Sequence, residues 1–340
     1  ILSGGNPVCT NAPTLTGTVN LIGTLNGALN LSGSTGVKLV DLHFNPLADY
    51  LFAGASHGMT DLLLLRDQID NAGIYNGYDL DGFFVVDSQT TNSPQFTLLT
   101  GYQAVPGWIP SRKVVLLGNH FDHSTQQMLY IGMFDRAVVS HNWLYRRPLP
   151  YGDAGSWGKP LFRLGANQAN TYKVVIADNV IDNSDNYEAF QLAPSSDAAN
   201  NKQAQNVLVE RNEITGANGQ HGVLLVTLVH DRLITTLRNN ILHYNPATTD
   251  AGFVLGSGYG APNGVWFHNN TVYTGGHGWF RNDPAAQNVY VYNNTVDGAC
   301  VTVTTALPPG ATAGCGGQPP GDTTPPTVSI TAPANGATVS

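Results

Sequence analysis

At 340 residues, with 11% charged side chains, 38 Gly and 20 Pro, the chain can bury a large core yet carries less charge than cytosolic enzymes usually do. A net charge of −8 with 15 Lys and Arg argues against a sequence-independent grip on nucleic acid, and no apolar run approaches the about 18 residues of a membrane span. The abundance of turn formers fits a secreted, extracellular β-rich protein, and the start at Ile1, without a basic-then-apolar order, reads as a mature, processed chain.

In chain order, residues 1–36 show short alternating runs (TLTGTVNLIGTLNGALNLSGS) that predict a first coil or an N-terminal cap. Two coils follow, GVKLVDLHF at 36–44 and MTDLLLLRDQIDN at 59–71. The fragment Asp79-Leu80-Asp81-Gly82 hints at calcium, but the further ligands and distal Glu of an EF-hand loop are lacking, so it predicts an ordinary turn.

From about residue 113 a repeat takes over. Asn119, Asn142, Asn179, Asn212, Asn239, Asn270 and Asn294 each sit in the frame x-Asn-x-(Ile/Leu/Val/Phe), spaced 23, 37, 33, 27, 31 and 24 residues apart. Apolar and polar residues alternate at period two within each unit, so the units are strands and the spacings are coils with loops of variable length. The expected fold is an all-β, right-handed parallel β-helix over 37–315, with three short parallel sheets. A buried Asn at a sharp turn tolerates a left-handed backbone, and its amide donates to the Asn one coil along, about 4.8 Å away. These seven Asn are therefore expected to form a structural ladder. Asn269-Asn270-Thr271 and Asn293-Asn294-Thr295 also match the glycosylation sequon, a composition the ladder alone accounts for.

One strand piece recurs as MLYIGM, PLFRLG, EAFQLA, GVLLVT, GFVLGS and GWFRND. Alternation predicts Phe162/Leu164, Phe190/Leu192, Val223/Leu225 and Phe253/Leu255 inward, with Arg163, Gln191, Leu224 and Val254 outward. Cys300 and Cys315 flank a short Thr/Pro/Gly loop and are expected to pair, leaving Cys9 free or intermolecular. Residues 316–340 read as a Pro/Gly/Thr linker and the first strands of a module that resembles bacterial immunoglobulin-like domains.

Chemistry concentrates in the longest insertion, 146–170, which carries Arg146, Arg147, Tyr151, Trp157, Lys159 and Arg163. Guanidinium forks hold carboxylate or sulfate, and Trp or Tyr offers a face for a sugar ring. The candidate substrate contacts are Arg146, Arg147, Trp157, His221 and Gln191, and the candidate catalytic groups are Lys159, Tyr151, Arg163, Asp122 and Asp182. The position three after the ladder Asn holds Asp122, Tyr145 and Asp182 on successive coils. Two coils separate the carboxylates by about 9.6 Å, near the upper edge of the inverting-glycosidase range. His120, Asp122 and His123 invite a metal reading that strand alternation weakens, because His123 differs in parity from the other two.

The run VVSHNWLYRRPLPYGDAGSWGKPLFRLG resembles the segment of chondroitinase B and related alginate lyases that reads DHNxFxxRPxxGxxGGxxIRIG, and DNSDNYEAF resembles their acidic calcium-binding strand. The resemblance implies a β-helix polysaccharide lyase, with calcium as cofactor and Asn179 and Glu188 near ligand positions. It departs from that pattern at Ala189 and Phe190, where a second carboxylate belongs. The family's Lys and Arg fall on Ala193-Pro194-Ser195 and Leu225-Val226-Thr227. The leading expectation is a polysaccharide-binding enzyme acting by β-elimination on an acidic polysaccharide. An inverting hydrolase using the two Asp, and a non-catalytic adhesin, stalk or self-assembling fibre subunit, are the alternatives.

Overall fold

The computed structural model describes residues 24–25, 28–45, 49–52, 58–77, 79–94, 96–100, 111–132, 134–146, 161–166, 171–183, 189–194, 204–216, 224–226, 235–244, 253–255 and 263–315. Their strands form three sheets, of 12, 10 and 8 strands, in which neighbours are separated in sequence by one full coil. One coil illustrates the plan: Thr171–Ala177 lies in the 10-stranded sheet, Val180–Asp182 in the 12-stranded sheet and Phe190–Pro194 in the 8-stranded sheet, before Ala204–Glu210 begins the next coil beside Thr171–Ala177. Every pairing between coils is parallel. The chain is a parallel β-helix, as its period-two repeat predicts. No described helix is long and apolar enough to cross a membrane.

The core consists of stacks of like residues, one per coil. Val85, Leu116, Val139, Ile176, Val209, Leu237 and Phe267 share one row of the 10-stranded sheet and are fully buried. Phe121, Leu144, Ile181, Ile214, Leu242 and Val272 do the same in the 12-stranded sheet. In the 8-stranded sheet Phe162 and Leu164 stand over Phe190 and Leu192, and all four are inward as expected. The next coil corrects the expected frame by one residue. Leu224 and Val226, rather than Val223 and Leu225, register with Phe190 and Leu192, so Leu225 rather than Leu224 shares a row with Gln191.

The ladder runs down one corner. Asn142, Asn179 and Asn212 each donate a side-chain N–H to the Oδ1 of the next Asn, at 2.8–2.9 Å, and that same oxygen accepts the donor's backbone N–H. Asn240 is the next rung, not the expected Asn239: it donates to Asn270 Oδ1 from both N and Nδ2 at 3.0 Å. Asn239-Asn240-Ile241 and Asn240-Ile241-Leu242 both satisfy the motif, but only the second turns Leu242 into the core. Toward the N-terminus the ladder continues without Asn. Ser88 N donates to Asn119 Oδ1, Asp67 N to Ser88 Oγ, and Leu42 N to Asp67 Oδ1.

The left-handed backbone expected at the ladder Asn lies one residue earlier. Asp41, Arg66, Asp87, Gly118, His141, Asp178, Arg211, Asn239, Asn269 and Asn293 all have φ between 49° and 69°. This conformation costs a residue with a Cβ roughly 1 kcal/mol, and each coil spends it to turn sharply from one sheet to the next. A second left-handed row crosses the 10-stranded sheet six residues before those rungs where that position is described, at Asp61, Gly82, Lys113, Arg136, Lys173, Asn206, Gly264 and Asn288. The flanking residues pair while this row does not, so the strand pairing skips the same position on successive coils without a change of register.

Within the segment expected as a first coil or cap, Thr24–Leu25 already pairs with His43–Phe44 in the 12-stranded sheet. Asp79 has a left-handed backbone, but Asp81 and Gly82 already belong to the strand Asp81–Val86, with Asp81 paired to Arg112 and Lys113, so the fragment expected as a turn runs into the 10-stranded sheet. At the other end, Ala299–Val301 turns back antiparallel to Asn294–Val296, and the expected Cys300–Cys315 disulfide is present. Asn293 holds this cap by donating to Thr312 O and accepting from Gly314 N. The disulfide closes a loop of 15 residues, worth about 3 kcal/mol in chain entropy. Cys300→Ser with Cys315→Ser is therefore expected to raise amide exchange across 299–315 while the coils from 111 to 292 keep their protection. Hydrogen exchange by mass spectrometry reads this directly. Cys9 and residues 316–340 lie outside the described residues.

Candidate functional site

The 12-stranded sheet turns alternate residues outward, and two cross-strand rows on this face carry the chemistry. One row runs Gln89, His120, Trp143, Val180, Glu213 and Ile241, and the other runs Thr91, Asp122, Tyr145, Asp182, Thr215 and His243. Parallel pairing without slip fixes each member directly beside the next, about 4.8 Å away. The expected alignment of Asp122, Tyr145 and Asp182 is thus observed.

The aromatic members stack. The Trp143 ring lies 5.3 Å from Tyr145 with planes 8° apart, and His120 packs against Trp143 at 4.0 Å. Trp143 is nonetheless 38% exposed, so part of the ring remains open to solvent. Burial pushes the His120 pKa below its ordinary value, against the opposing pull of Asp122. Further along, His243 stacks on Tyr273 at 5.0 Å and bonds Glu213 at 3.1 Å. At the N-terminal end Asp70 collects His43, Gln68 and Thr91. Burial raises its pKa, but these three bonds outweigh burial and leave it lowered.

The other expected contacts are placed elsewhere. Arg146 is only 2% exposed and donates from Nη2 to the Gln126 carbonyl, which corrects its expected surface role: it fills a corner of the solenoid rather than facing a ligand. Gln191, expected outward as a substrate contact, is only 7% exposed. Arg163 stands beside it in register and lies over the Tyr130 ring at 5.1 Å, on a different sheet from Asp122 and Asp182. Asn179 cannot double as a calcium ligand, because its Oδ1 already accepts two hydrogen bonds within the ladder and its amide donates to Val139 O, Ala177 O and Asn212 Oδ1. Lys159, Tyr151, Trp157, Arg147, His221 and Glu188 lie outside the described residues. His123 has a left-handed backbone, and no group of three or more His, Cys, Asp or Glu among the described residues gathers into a metal site.

Sequence reasoning passed over Trp143 as a partner of Tyr145. Its signal was position: residues one and three after a ladder Asn point outward, and there the chain places Trp143 and Tyr145 together. No family model, no curated protein and no solved structure matches the chain.

Proposed function

We propose that this chain is an extracellular polysaccharide-binding β-helix that hydrolyses its ligand on the outer face of the 12-stranded sheet. The observation that carries this reading is the row Asp122, Tyr145, Asp182 with Trp143 stacked beside its centre. Trp143 and Tyr145 offer the apolar platform on which sugar rings pack. Asp122 and Asp182 stand on either side, about 9.6 Å apart, a separation that leaves room for a water in inverting hydrolysis. In that reaction one carboxyl gives its proton to the leaving glycosidic oxygen as the C–O bond breaks. The other takes a proton from the water whose oxygen attacks the anomeric carbon. The low charge and the Cys300–Cys315 disulfide support the extracellular assignment.

The test is a panel of polysaccharides read in parallel for reducing ends and for absorbance at 235 nm. New reducing ends without that absorbance are expected, with Asp122→Asn and Asp182→Asn each lowering the rate about 100-fold. Trp143→Ala is expected to weaken binding about tenfold. A rise at 235 nm that survives both Asp variants would replace hydrolysis by elimination and move attention to Lys159 and Tyr151. Binding without either product would make the chain a non-catalytic stalk, and no binding at all would overturn the reading.

A further inference from the structure

The left-handed row of the 10-stranded sheet breaks a local rule on three consecutive coils. Where other coils place Gly82, Asn206, Gly264 or Asn288 in this slot, residue types that suit left-handed backbone, the coils between them place Lys113, Arg136 and Lys173 at φ 55°, 69° and 52°. Long cations gain nothing from that conformation. A strained slot filled against its preference three times in succession marks selection for what the side chains present rather than for the turn.

What they present is a straight line of positive charge. The three side chains are 52%, 56% and 61% exposed, and stacking sets them about 4.8 Å apart over two coil steps. Arg112, 46% exposed, adds a fourth cation next to Lys113. The facing carboxylates are fewer. Asp81 lies 2.9 Å from Arg112 and 3.1 Å from Lys113, while Asp135 lies 3.2 Å from Arg136 and 3.8 Å from Lys173. Among the described residues, these four cations meet two carboxylates within ion-pair distance, a local surplus of positive charge on a chain whose net charge is −8. Two coils before Lys113 the slot holds Asp61, which bounds the track on that side.

We propose that Lys113, Arg136 and Lys173 form a track that binds the carboxylate or sulfate groups of a linear acidic polysaccharide running along the solenoid axis. The track stands on a different sheet from the Trp143 and Tyr145 platform and does not depend on that platform being catalytic. An acidic glycan fits better than a duplex nucleic acid, whose dense charge of about one per 1.7 Å meets the repulsion of the rest of the chain.

The test uses the full chain and isothermal titration with polygalacturonate, dextran sulfate, uncharged dextran and duplex DNA, each at low and at raised salt. One of the two acidic glycans is expected to bind, more weakly as salt rises, and which of them binds identifies carboxylate or sulfate as the group recognised. Lys113→Asn, Arg136→Asn and Lys173→Asn combined are expected to lower that affinity at least tenfold. Because Asn suits the left-handed slot, the triple variant is expected to melt no lower than the parent. If it melts lower, Lys173→Asn alone, which removes only the longest of these ion pairs, is expected to weaken binding measurably with unchanged melting. The proposal is overturned if neither acidic glycan binds, if the variants bind like the parent, or if duplex DNA or uncharged dextran binds equally well.

Discussion

Asn240→Ala is expected to destabilise the chain by on the order of 5 kcal/mol and to lower its melting temperature by about 10 °C or more. The side chain removed donates to Val209 O and Asn270 Oδ1 and accepts from both the backbone and side-chain N–H of Asn212. Alanine leaves those donors buried with no water to replace the amide, and each orphaned group costs about 1–3 kcal/mol. The neighbouring Asn239 supplies the control. It occupies the left-handed turn, and its Oδ1 has no hydrogen-bond partner, so Asn239→Gly is expected to change stability by less than about 0.5 kcal/mol. Thermal melts of the two variants decide which Asn is the rung, and equal effects would refute the frame described above.

Asp67→Asn is expected to stabilise the chain at pH 8 and to do little at pH 4. Asp67 is a ladder rung with 1% exposure; its Oδ1 accepts from Leu42 N while Oδ2 has no donor. Burial pushes its pKa from the usual 3.8 to about 7, against the pull of the Leu42 and Leu65 backbones. In the window between those values the folded chain holds a proton that the unfolded chain has released. Stability contributed by this site is therefore full below about pH 4, falls as pH rises toward 7, and stays low above it. The loss amounts to a few kcal/mol, at most about 4 kcal/mol. A neutral amide has no proton to lose and fits the slot that Asn fills in later coils. Denaturant unfolding of both proteins at pH 4 and pH 8 measures the difference, and an equal gain at the two pH values would show that Asp67 does not titrate within the ladder.

Much of the fold was legible because a parallel β-helix repeats its solutions. Inward Val, Ile and Leu recur at period two, and the ladder Asn recurs once per coil, so each coil confirms the next. The frame slipped where the sequence offers doublets: Asn239-Asn240 and Leu224-Leu225 each permit two registers, and only stacking against Asn212 or Phe190 chooses between them. Asp67 and Ser88 escaped notice because a rung needs an acceptor oxygen of the right reach, not an asparagine by name. Arg146 misled in the opposite direction. A lone sequence treats a guanidinium as a surface group, whereas a corner of a stacked solenoid can enclose one against a backbone carbonyl. The Trp143 and Lys113 rows were within reach of sequence reasoning once offsets of +1 and −6 from each rung were read across coils rather than along the chain.

The reversed strand Ala299–Val301 gives one end of the 12-stranded sheet a polarity of its own. A second copy docking end to end would have to continue the 12-stranded sheet in parallel, but the strand waiting there runs the other way and is tied by Cys300 to Cys315. Thr302 and Thr304 further occupy the backbone donors of Asn293 and Val291 beside it. Coil-on-coil addition through the 12-stranded sheet would therefore meet a strand of the wrong polarity at this end.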